Sequence, residues 1–177
     1  MSDAKPKLNP GASRPWHAVQ QSTNIKQTRS TYQYITTFYP LWTGVATPQQ
    51  ATAVEGNLKV FERPGGAVMS PYDTGAQWES PYAWAPTQMI LVDGLRRYGF
   101  TEDANRVAFE FTGTFAESYA KQSYIVEKYN AVTRSTDAPV TTGYPINVVG
   151  FGWTNAAYLD FLAELPAAKR AELMGVH

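Results

Sequence analysis

The 177-residue sequence predicts an all-α protein, built as part of an α/α toroid. From Tyr32 onward, apolar residues recur at steps of three and four, the spacing of helices that bury one face. A helix that is apolar on nearly every side is followed by one that is apolar on a single face, so inner and outer helices alternate. Long loops connect the helices. An ordinary all-α bundle has the same pattern, and the pattern alone leaves both architectures open.

The chain begins with an expected arm and a short helix. Residues 1–23 are polar and interrupted by prolines, so we expect a loose N-terminal arm. Residues 24–177 are expected to form one domain, because a chain of this length buries one ordinary core. The crowded apolar segment from Tyr32 to Gly44 predicts a helix that Pro40 kinks.

The second predicted helix has the clearest start in the sequence. Thr47 is placed to cap it, Pro48 occupies its first turn and Gln50 completes a capping box. Pro64–Gly66 ends the helix, and a long loop runs from there to Tyr82. Loops this long in compact domains are often functional. The apolar stripe of this helix consists of Ala51, Val54, Leu58 and Phe61.

The third predicted helix begins after Pro86 and is the inner one. Met89–Val92 is an unbroken apolar run, which indicates a helix buried on nearly every side. Arg96 and Arg97 lie near its C-terminus, where cations interact favourably with the helix dipole. Gly99 suits a left-handed cap at its end.

The fourth predicted helix is an outer one. Thr101 is expected to cap it, with Glu102 and Asp103 in its first turn. A second long loop, Gln122–Gly152, follows the helix. The loop contains the one strand-like segment, Tyr124–Val126, which is too short to predict a sheet. The apolar stripe of the helix consists of Ala104, Ala108, Phe111, Phe115 and Tyr119.

Two helices are predicted at the end of the chain. One runs from Thr154 to Leu165, with Leu159 and Leu162 expected on the same face as Leu165. Pro166 opens a short last helix that is expected to end at Leu173, because proline is favoured in the first helical turn.

The composition excludes several classes of function. Fifteen basic residues balance fifteen acidic ones, which argues against a nucleic-acid-binding surface. Without cysteine, disulfides and thiolate metal sites are excluded, and His17 and His177 are not placed to form a metal site or a catalytic triad. We therefore expect no cofactor and no metal. No apolar run reaches the ~18 residues of a membrane span, so no membrane association is expected. Residues 1–10 lack the apolar core of a secretory signal. We expect a cytoplasmic protein, although a longer parent chain could be periplasmic.

The segment Gln77–Pro86 combines two indoles, an amide and a carboxylate in one short stretch. Trp78 and Trp84 offer flat apolar faces, while Gln77 and Glu79 offer hydrogen-bonding groups. A sugar has an apolar ring face and a fringe of hydroxyls, and it fits aromatic surfaces flanked by a few polar groups. The segment therefore predicts a sugar-binding site.

Two further segments carry residues of interest. Glu127 lies among apolar and aromatic neighbours in the second long loop, where a lone glutamate is more often structural or solvated than catalytic. The block Gly150–Asn155 opens the next helix, and its glycines let the backbone approach a ligand or a neighbouring helix closely. For Phe151 and Trp153, packing and ligand contact are equally good interpretations.

These segments together resemble the α,α-trehalase family of glycoside hydrolases. The family carries Gln-Trp-Asp-x-Pro-x-Gly-Trp-Ala-Pro, Glu-Lys-Tyr-Asp, Gly-Phe-Gly-Trp-Thr-Asn and Phe-Tyr-Pro-Leu-Trp-Ala-Gly, and this chain has close matches in the family's order between about Asn24 and Leu165. Glu79, Ala83 and Asn130 depart from the family's residues. The matching segments are Gln77–Pro86, Glu127–Asn130, Gly150–Asn155 and Thr36–Trp42.

The resemblance implies a fold, a reaction and a set of site residues. It implies an (α/α)6 toroid of the six-hairpin glycosidase type, of which residues 24–177 are the C-terminal part of the catalytic domain. It implies hydrolysis of α,α-trehalose to two glucose units with inversion, without a cofactor. Glu127 corresponds to the family's general base. The residues implied to line the sugar pocket are Gln77, Trp78, Glu79, Trp84 and Trp153.

Two departures from the family concern activity. The family's Gly-rich run ending in Glu-Tyr is replaced here by Thr141–Pro145, so a sugar-binding glutamate is missing. The family's general acid precedes the Thr36–Trp42 block, and nothing before that block in this chain resembles its motif. Asp73 and Glu79 are the only carboxyl groups near the motifs that could replace it. We therefore expect that the isolated chain lacks the general acid.

Two other functions are consistent with these departures. The chain could be a non-catalytic carbohydrate-binding or interaction module derived from the fold, or a toroid glycosidase for another glucoside. The expected small-molecule partner is a sugar, trehalose or a related glucoside. A partial toroid leaves an open apolar edge, so we also expect self-association or binding of a complementing chain through that edge.

Overall fold

Helices dominate the part of the chain that the computed structural model describes, residues 31–175. The expected N-terminal arm lies outside these residues. A 3-10 helix, Ile35–Phe38, precedes seven α-helices, and four short strands form two antiparallel pairs within the described range. The elements are α1 (Tyr39–Thr43), α2 (Pro48–Glu55), α3 (Leu58–Phe61), β1 (Glu62–Arg63), β2 (Gly66–Ala67), β3 (Tyr82–Trp84), α4 (Ala85–Arg97), α5 (Thr101–Gln122), β4 (Lys128–Asn130), α6 (Gly152–Glu164) and α7 (Ala167–Leu173).

Helix α4 is the inner helix that the sequence predicts. It packs against α1, α5 and α6, and Leu91, Val92 and Leu95 are fully buried. Gly94 lets α1 approach closely, because a Cβ atom at this position would lie 2.9 Å from both the backbone nitrogen of Trp42 and the Cβ of Leu41. The core of the described residues is therefore centred on α4.

The first helical segment changes from a 3-10 helix to an α-helix just before Pro40. The chain runs through the 3-10 helix into α1, and Pro40 occupies the first turn of α1. Proline is accommodated there because the first backbone N–H groups of a helix have no partner within it. The segment ends at Gly44, which has a left-handed conformation with a φ of 75°.

The second predicted helix is divided into α2 and α3 by Gly56 and Asn57. The predicted capping box is confirmed: Gln50 N donates to Thr47 Oγ1 at 3.3 Å, and Thr47 N donates to Gln50 Oε1 at 2.7 Å. The apolar stripe is also confirmed, since Ala51, Val54, Leu58 and Phe61 are all buried.

Helix α5 begins one residue earlier than its predicted cap implies. Phe100 occupies the N-cap position, and its carbonyl accepts from Ala104 N at 3.0 Å, so Thr101 is the first helical residue and caps nothing. The left-handed conformation predicted for Gly99 is confirmed by a φ of 82°. The predicted apolar stripe is buried as far as Phe115, whereas Tyr119 is 50% exposed.

Helix α6 buries only part of the predicted leucine stripe, since Leu165 at its end is 2% exposed. Thr154, Ala157 and Phe161 are buried at steps of three and four, while Leu159 is 57% exposed. The helix is apolar on several sides, so the leucine spacing did not identify the inward face. Thr154 is accommodated in the core because its Oγ1 donates to the carbonyl of Val126 at 2.8 Å.

The expectation that the chain has no sheet was wrong. Strands β1 and β2 form a hairpin at the predicted helix stop, and buried Gln88 of α4 holds the hairpin through both Ala67 N (2.8 Å) and Ala67 O (2.7 Å). Strands β3 and β4 pair two segments that lie far apart in the sequence. None of the helices in the described residues is long and apolar enough to cross a membrane.

Candidate active site

The antiparallel pair β3–β4 joins the tryptophan-rich segment to the segment of Glu127. In its register Trp84 lies opposite Lys128 and Tyr82 lies opposite Asn130. All six paired residues are buried. The side chains that precede each strand are thereby brought to the same place, although α4 and α5 separate them along the chain.

Three tryptophans lie in contact at this place. Trp78 stacks on Trp84 with ring centroids 3.9 Å apart and planes inclined by 13°. Trp153 meets Trp84 edge-on at 6.2 Å, and Phe151 packs on Trp153 at 4.5 Å. Trp84 is buried, whereas Trp78 and Trp153 are 42% and 38% exposed. The cluster thus has one buried indole, that of Trp84, and two indoles that are partly exposed to solvent, those of Trp78 and Trp153.

The orientation of Trp84 is fixed from both sides. Its Nε1 donates to the carbonyl of Gln77 at 2.9 Å, and its own carbonyl accepts from Thr87 Oγ1 at 2.8 Å. The side chain of Gln77 lies so close to Gly143 that a Cβ atom there would be 2.8 Å from Gln77 Cδ. Gln77 Oε1 is shielded from solvent and accepts no hydrogen bond from the described residues.

Glu127 is buried next to β4, with 4% of its surface exposed. Its Oε2 accepts a hydrogen bond from the hydroxyl of Tyr144 and lies 3.6 Å from Nζ of Lys128. Its backbone nitrogen donates to the carbonyl of Val148 at 2.9 Å. A buried carboxylate therefore lies beside a cation and a hydroxyl donor.

Lys128 links Glu127 to the aromatic cluster. Its fully buried ammonium group donates to the carbonyl of Ile146 at 3.1 Å and lies 5.4 Å from the ring centroid of Trp84 and 4.8 Å from that of Tyr144. Burial lowers the pKa of Lys128, and the charge of Glu127 opposes that effect. Burial, followed by the hydrogen bond to Glu127, raises the pKa of Tyr144 to about 12.

Glu79 is directed towards its own loop. Its Oε1 accepts from the hydroxyl of Tyr32 at 2.5 Å, and its Oε2 accepts from Thr74 through both Oγ1 (2.5 Å) and the backbone nitrogen (3.0 Å). These hydrogen bonds, from Thr74 first and then Tyr32, lower the pKa of Glu79. A carboxyl group kept ionised in this way is a poor proton donor at neutral pH. Asp73, the other candidate acid, is exposed.

Asn130, which departs from the family's aspartate, organises the backbone of the next turn. Its Oδ1 accepts from the backbone nitrogens of Val132 and Thr133, each at 3.0 Å, and its Nδ2 donates to the carbonyl of Asp137 at 3.2 Å. The amide group is required for the last contact, because a carboxylate has no proton to donate.

One group of carboxylates lies outside this site. Oxygens of Asp93, Asp160 and Glu164 lie within 4.8 Å of one another. Arg96 forms an ion pair with Glu164, so a positive charge from the protein already lies at the cluster. Burial, and then the charge of Asp160, raises the pKa of Asp93. The group is explained as a structural ion network between α4 and α6.

The structure brings together five of the residues that the sequence singles out: Gln77, Trp78, Trp84, Glu127 and Trp153. Glu79 lies in the same segment but turns away from the tryptophans. Sequence reasoning missed Lys128 and Tyr144 as site residues. The one available signal was their position, because Lys128 follows Glu127 directly and Tyr144 precedes the Gly150 block.

The chain is similar in sequence to known proteins over most of its length. The family model described as trehalase matches residues 20–166. The cytosolic neutral trehalase of Emericella nidulans is 36% identical, with 86% of this chain and 23% of the relative covered. The periplasmic trehalase of Xanthomonas axonopodis pv. citri is 37% identical, with 79% and 25% covered. The chain thus spans about a quarter of the length of these relatives.

Solved structures show the same fold. The neutral trehalase Nth1 of Saccharomyces cerevisiae superposes with a TM-score of 0.71 at 30% identity, covering 86% of this chain and 27% of that one. The GH63 mannosylglycerate hydrolase of Thermus thermophilus superposes with a TM-score of 0.61 at 16% identity, covering 79% and 33%, and supports the fold alone. The described residues therefore fold as part of an (α/α)6 toroid, as the sequence predicts.

Proposed function

Because the chain belongs to the trehalase family, we propose that it forms the base-bearing part of an enzyme that hydrolyses α,α-trehalose. The observation that carries the proposal is the β3–β4 pairing, in which Lys128, the ion-pair partner of buried Glu127, lies 5.4 Å from the ring centroid of Trp84. Trp78 and Trp153 contact that ring. In the proposed reaction a water oxygen bonds to the anomeric carbon of one glucose unit, and the bond from that carbon to the bridging oxygen breaks. The configuration at the attacked carbon is inverted.

Glu127 is proposed to act as the general base. A water molecule attacking carbon must lose a proton, and a carboxylate near an apolar sugar platform can accept it. The partly exposed rings of Trp78 and Trp153 are proposed to contact the sugar, together with Gln77, whose shielded Oε1 has no partner in the described residues. Trp84 packs against both rings, stacked on Trp78 and edge-on to Trp153.

The bridging oxygen needs a proton when it leaves, and an inverting glycosidase supplies this proton from a second carboxyl group about 6.5–9.5 Å from the base. The carboxylate of Glu79 accepts hydrogen bonds from Thr74 and Tyr32, and these bonds lower its pKa and keep it ionised. We therefore propose that the acid comes from the part of a complete trehalase that this chain does not match. The chain alone would then lack one half of the acid–base pair.

We further propose that an apolar groove marks the surface that the rest of the toroid covers. The groove has a volume of about 580 Å³ and lies between the C-terminal half of α5 and α6. Tyr119, Val149 and Leu159 line it and are 50%, 58% and 57% exposed. Exposed apolar patches of this kind mark interaction sites. When the chain is isolated, we expect a second molecule of the same chain to bind in this groove.

We propose a cytoplasmic location, which the cytosolic neutral trehalases among the relatives favour. Periplasmic trehalases match equally well, so localisation must be measured separately. Fractionation of the source cells with an antibody against the chain tests it, and recovery in the periplasmic fraction would contradict the proposal.

The proposed reaction can be tested with two substrates. Trehalose needs both base and acid, whereas α-D-glucosyl fluoride needs the base alone, because fluoride leaves without protonation. We expect the full chain to release β-glucose from the fluoride, and Glu127→Gln to lose at least ~10²-fold of that rate. Glu102→Gln, a change at an exposed position of α5, is the matched control and should keep the rate.

The outcomes separate the alternatives. Hydrolysis of the fluoride but not of trehalose supports a chain with a working base and no acid. Hydrolysis of both would show that the chain contains its own acid. If neither substrate reacts, the chain alone is not catalytic, and quenching of tryptophan fluorescence by trehalose then tests whether a sugar-binding module remains.

A further inference from the structure

The two oxygens of the Glu127 carboxylate have different surroundings. Tyr144 donates its hydroxyl proton to Oε2, and Nζ of Lys128 lies 3.6 Å from the same atom. Oε1 accepts no hydrogen bond from any residue between 31 and 175. One oxygen is therefore hydrogen-bonded by the protein, and the other is left for a ligand.

The segment that contains Tyr144 is hydrogen-bonded to β4. Asn147 Nδ2 donates to the carbonyl of Lys128 at 2.9 Å, and Asn147 Oδ1 accepts from the backbone nitrogen of Lys128 at 3.2 Å. The ammonium of Lys128 donates to the carbonyl of Ile146. The backbone groups on both sides of the Lys128 Cα are thus hydrogen-bonded to the loop of Tyr144, so this loop is anchored independently of the contact between Tyr144 and Glu127.

Lys128 supplies the charge at this point. Its ammonium is fully buried, with Glu127 as its one ion-pair partner in the described residues and the faces of Trp84 and Tyr144 on either side. A hydrogen bond to a charged acceptor is roughly twice as strong as one between neutral groups. Together the hydroxyl donor Tyr144 and the neighbouring charge of Lys128 favour one orientation of the carboxylate.

We propose that Tyr144 and Lys128 are positioning residues that fix Glu127 through Oε2, so that Oε1 is the oxygen that removes the proton from the attacking water. This inference rests on the proposed function of Glu127 as the base. In the step itself, a proton passes from water to Oε1 while the water oxygen bonds to the anomeric carbon, and the leaving group departs with the electrons of its bond. Neither positioning residue gains or loses a proton.

The contact is tested first without any reaction, in the full 177-residue chain labelled with ¹³C at tyrosine Cζ. Tyr144→Phe identifies the Tyr144 resonance. We expect this resonance to lie at a different chemical shift in Glu127→Gln, because a neutral amide accepts the hydroxyl proton of Tyr144 more weakly than a carboxylate does. Tyr98, whose hydroxyl donates to the carbonyl of Ala46 at 2.7 Å, provides a reference resonance that should be the same in both proteins. An unchanged Tyr144 resonance in Glu127→Gln would overturn the inference.

The positioning role is tested by the kinetics of α-D-glucosyl fluoride hydrolysis. Tyr144→Phe removes one hydroxyl from a partly exposed ring, so the fold should persist. We expect kcat to fall about 10-fold, the fold-change that corresponds to ~1.4 kcal/mol, with KM within about twofold. Tyr98→Phe, which loses a hydroxyl hydrogen bond to the carbonyl of Ala46, should leave both constants unchanged.

The results separate this inference from the proposed function. If Glu127→Gln abolishes hydrolysis but Tyr144→Phe keeps the kcat of the unaltered chain, Glu127 is the base and the positioning role is wrong. If no protein hydrolyses the fluoride, the proposed function of the isolated chain fails, and the tyrosine resonance alone decides whether Oε2 is held by Tyr144.

Discussion

Glu79 belongs to the sugar-binding motif, but its side chain stabilises the loop in which it lies. The sequence places it among the sugar-contacting residues, yet its two oxygens accept hydrogen bonds from Tyr32 and Thr74. A lowered pKa means that its carboxylate stabilises the folded state. That contribution is complete above the ordinary pKa of glutamate and is lost as the pH falls through the lowered value.

We predict that Glu79→Gln lowers the free energy of unfolding by about 1–3 kcal/mol at pH 7, because charged hydrogen bonds are lost. The difference from the unaltered chain should shrink as the pH falls towards 3, where the glutamate is protonated as well. Urea unfolding at several pH values measures it. Asp73→Asn, a change at an exposed neighbour, should alter stability by less than about 0.5 kcal/mol. A difference that does not depend on pH would contradict this explanation.

The sequence motifs identified which residues belong to the site, but they did not predict the contacts that those side chains make. Glu127 and Trp84 were recognisable because the family resemblance assigns them roles. The contact of Tyr144 with Glu127 was not predictable, since it depends on how the loop before Gly150 folds back on β4. The direction of Glu79 was equally hidden, because Tyr32 lies far away in the sequence.

At the scale of elements, the packing of α1 against α4 depends on one glycine. A methyl group on Gly94 would meet the backbone of Trp42 and the side chain of Leu41 at 2.9 Å. We predict that Gly94→Ala lowers the free energy of unfolding by about 1–3 kcal/mol, the usual cost of overpacking, despite the better helix propensity of alanine. Thermal or urea unfolding measures the change.

Gly56→Ala is the matched control for this change. Gly56 has a helical φ of −56°, and the nearest atom to an added Cβ would be the carbonyl oxygen of Thr52 at 3.5 Å, an ordinary contact. This variant should be as stable as the unaltered chain or slightly more stable. If Gly94→Ala were as stable as Gly56→Ala, helix α1 would be able to move away from Gly94 without cost, and the prediction would be contradicted.

The helices were predictable and the strands were not, for a physical reason. Helix signals such as the capping box at Thr47 and the left-handed Gly99 are local in sequence. Strands β3 and β4 have three residues each and gain their stability from partners across the chain and from burial on all sides. Strands that are fully buried need not alternate, so the pattern that identifies a half-exposed strand is missing here.

At the scale of the whole molecule, the groove between α5 and α6 should control association. We predict that Leu159→Glu makes the isolated chain more monomeric, because a charge in an apolar contact must be desolvated. Light scattering after size exclusion over a dilution series measures the change. Val45→Glu, which introduces the same charge at a position that is 74% exposed and outside the groove, should associate like the unaltered chain.

An unaltered chain that is monomeric throughout the dilution series and unfolds cooperatively would contradict the prediction. The toroid assignment itself would stand, since it rests on the superposition with the yeast neutral trehalase. The extent of the toroid could not be read from helix patterns, because a partial toroid and a bundle place apolar stripes at the same spacing.

The β3–β4 pair also has a consequence for the order of folding. Its residues close a loop that contains all of α4 and α5. Closing a long flexible loop carries an entropic cost that three paired residues per strand do not offset by themselves. Contact between α4 and α5 brings the ends of that loop near each other. Helix pairing should therefore precede strand pairing, so Glu127 and Trp84 meet only after the helical scaffold has assembled.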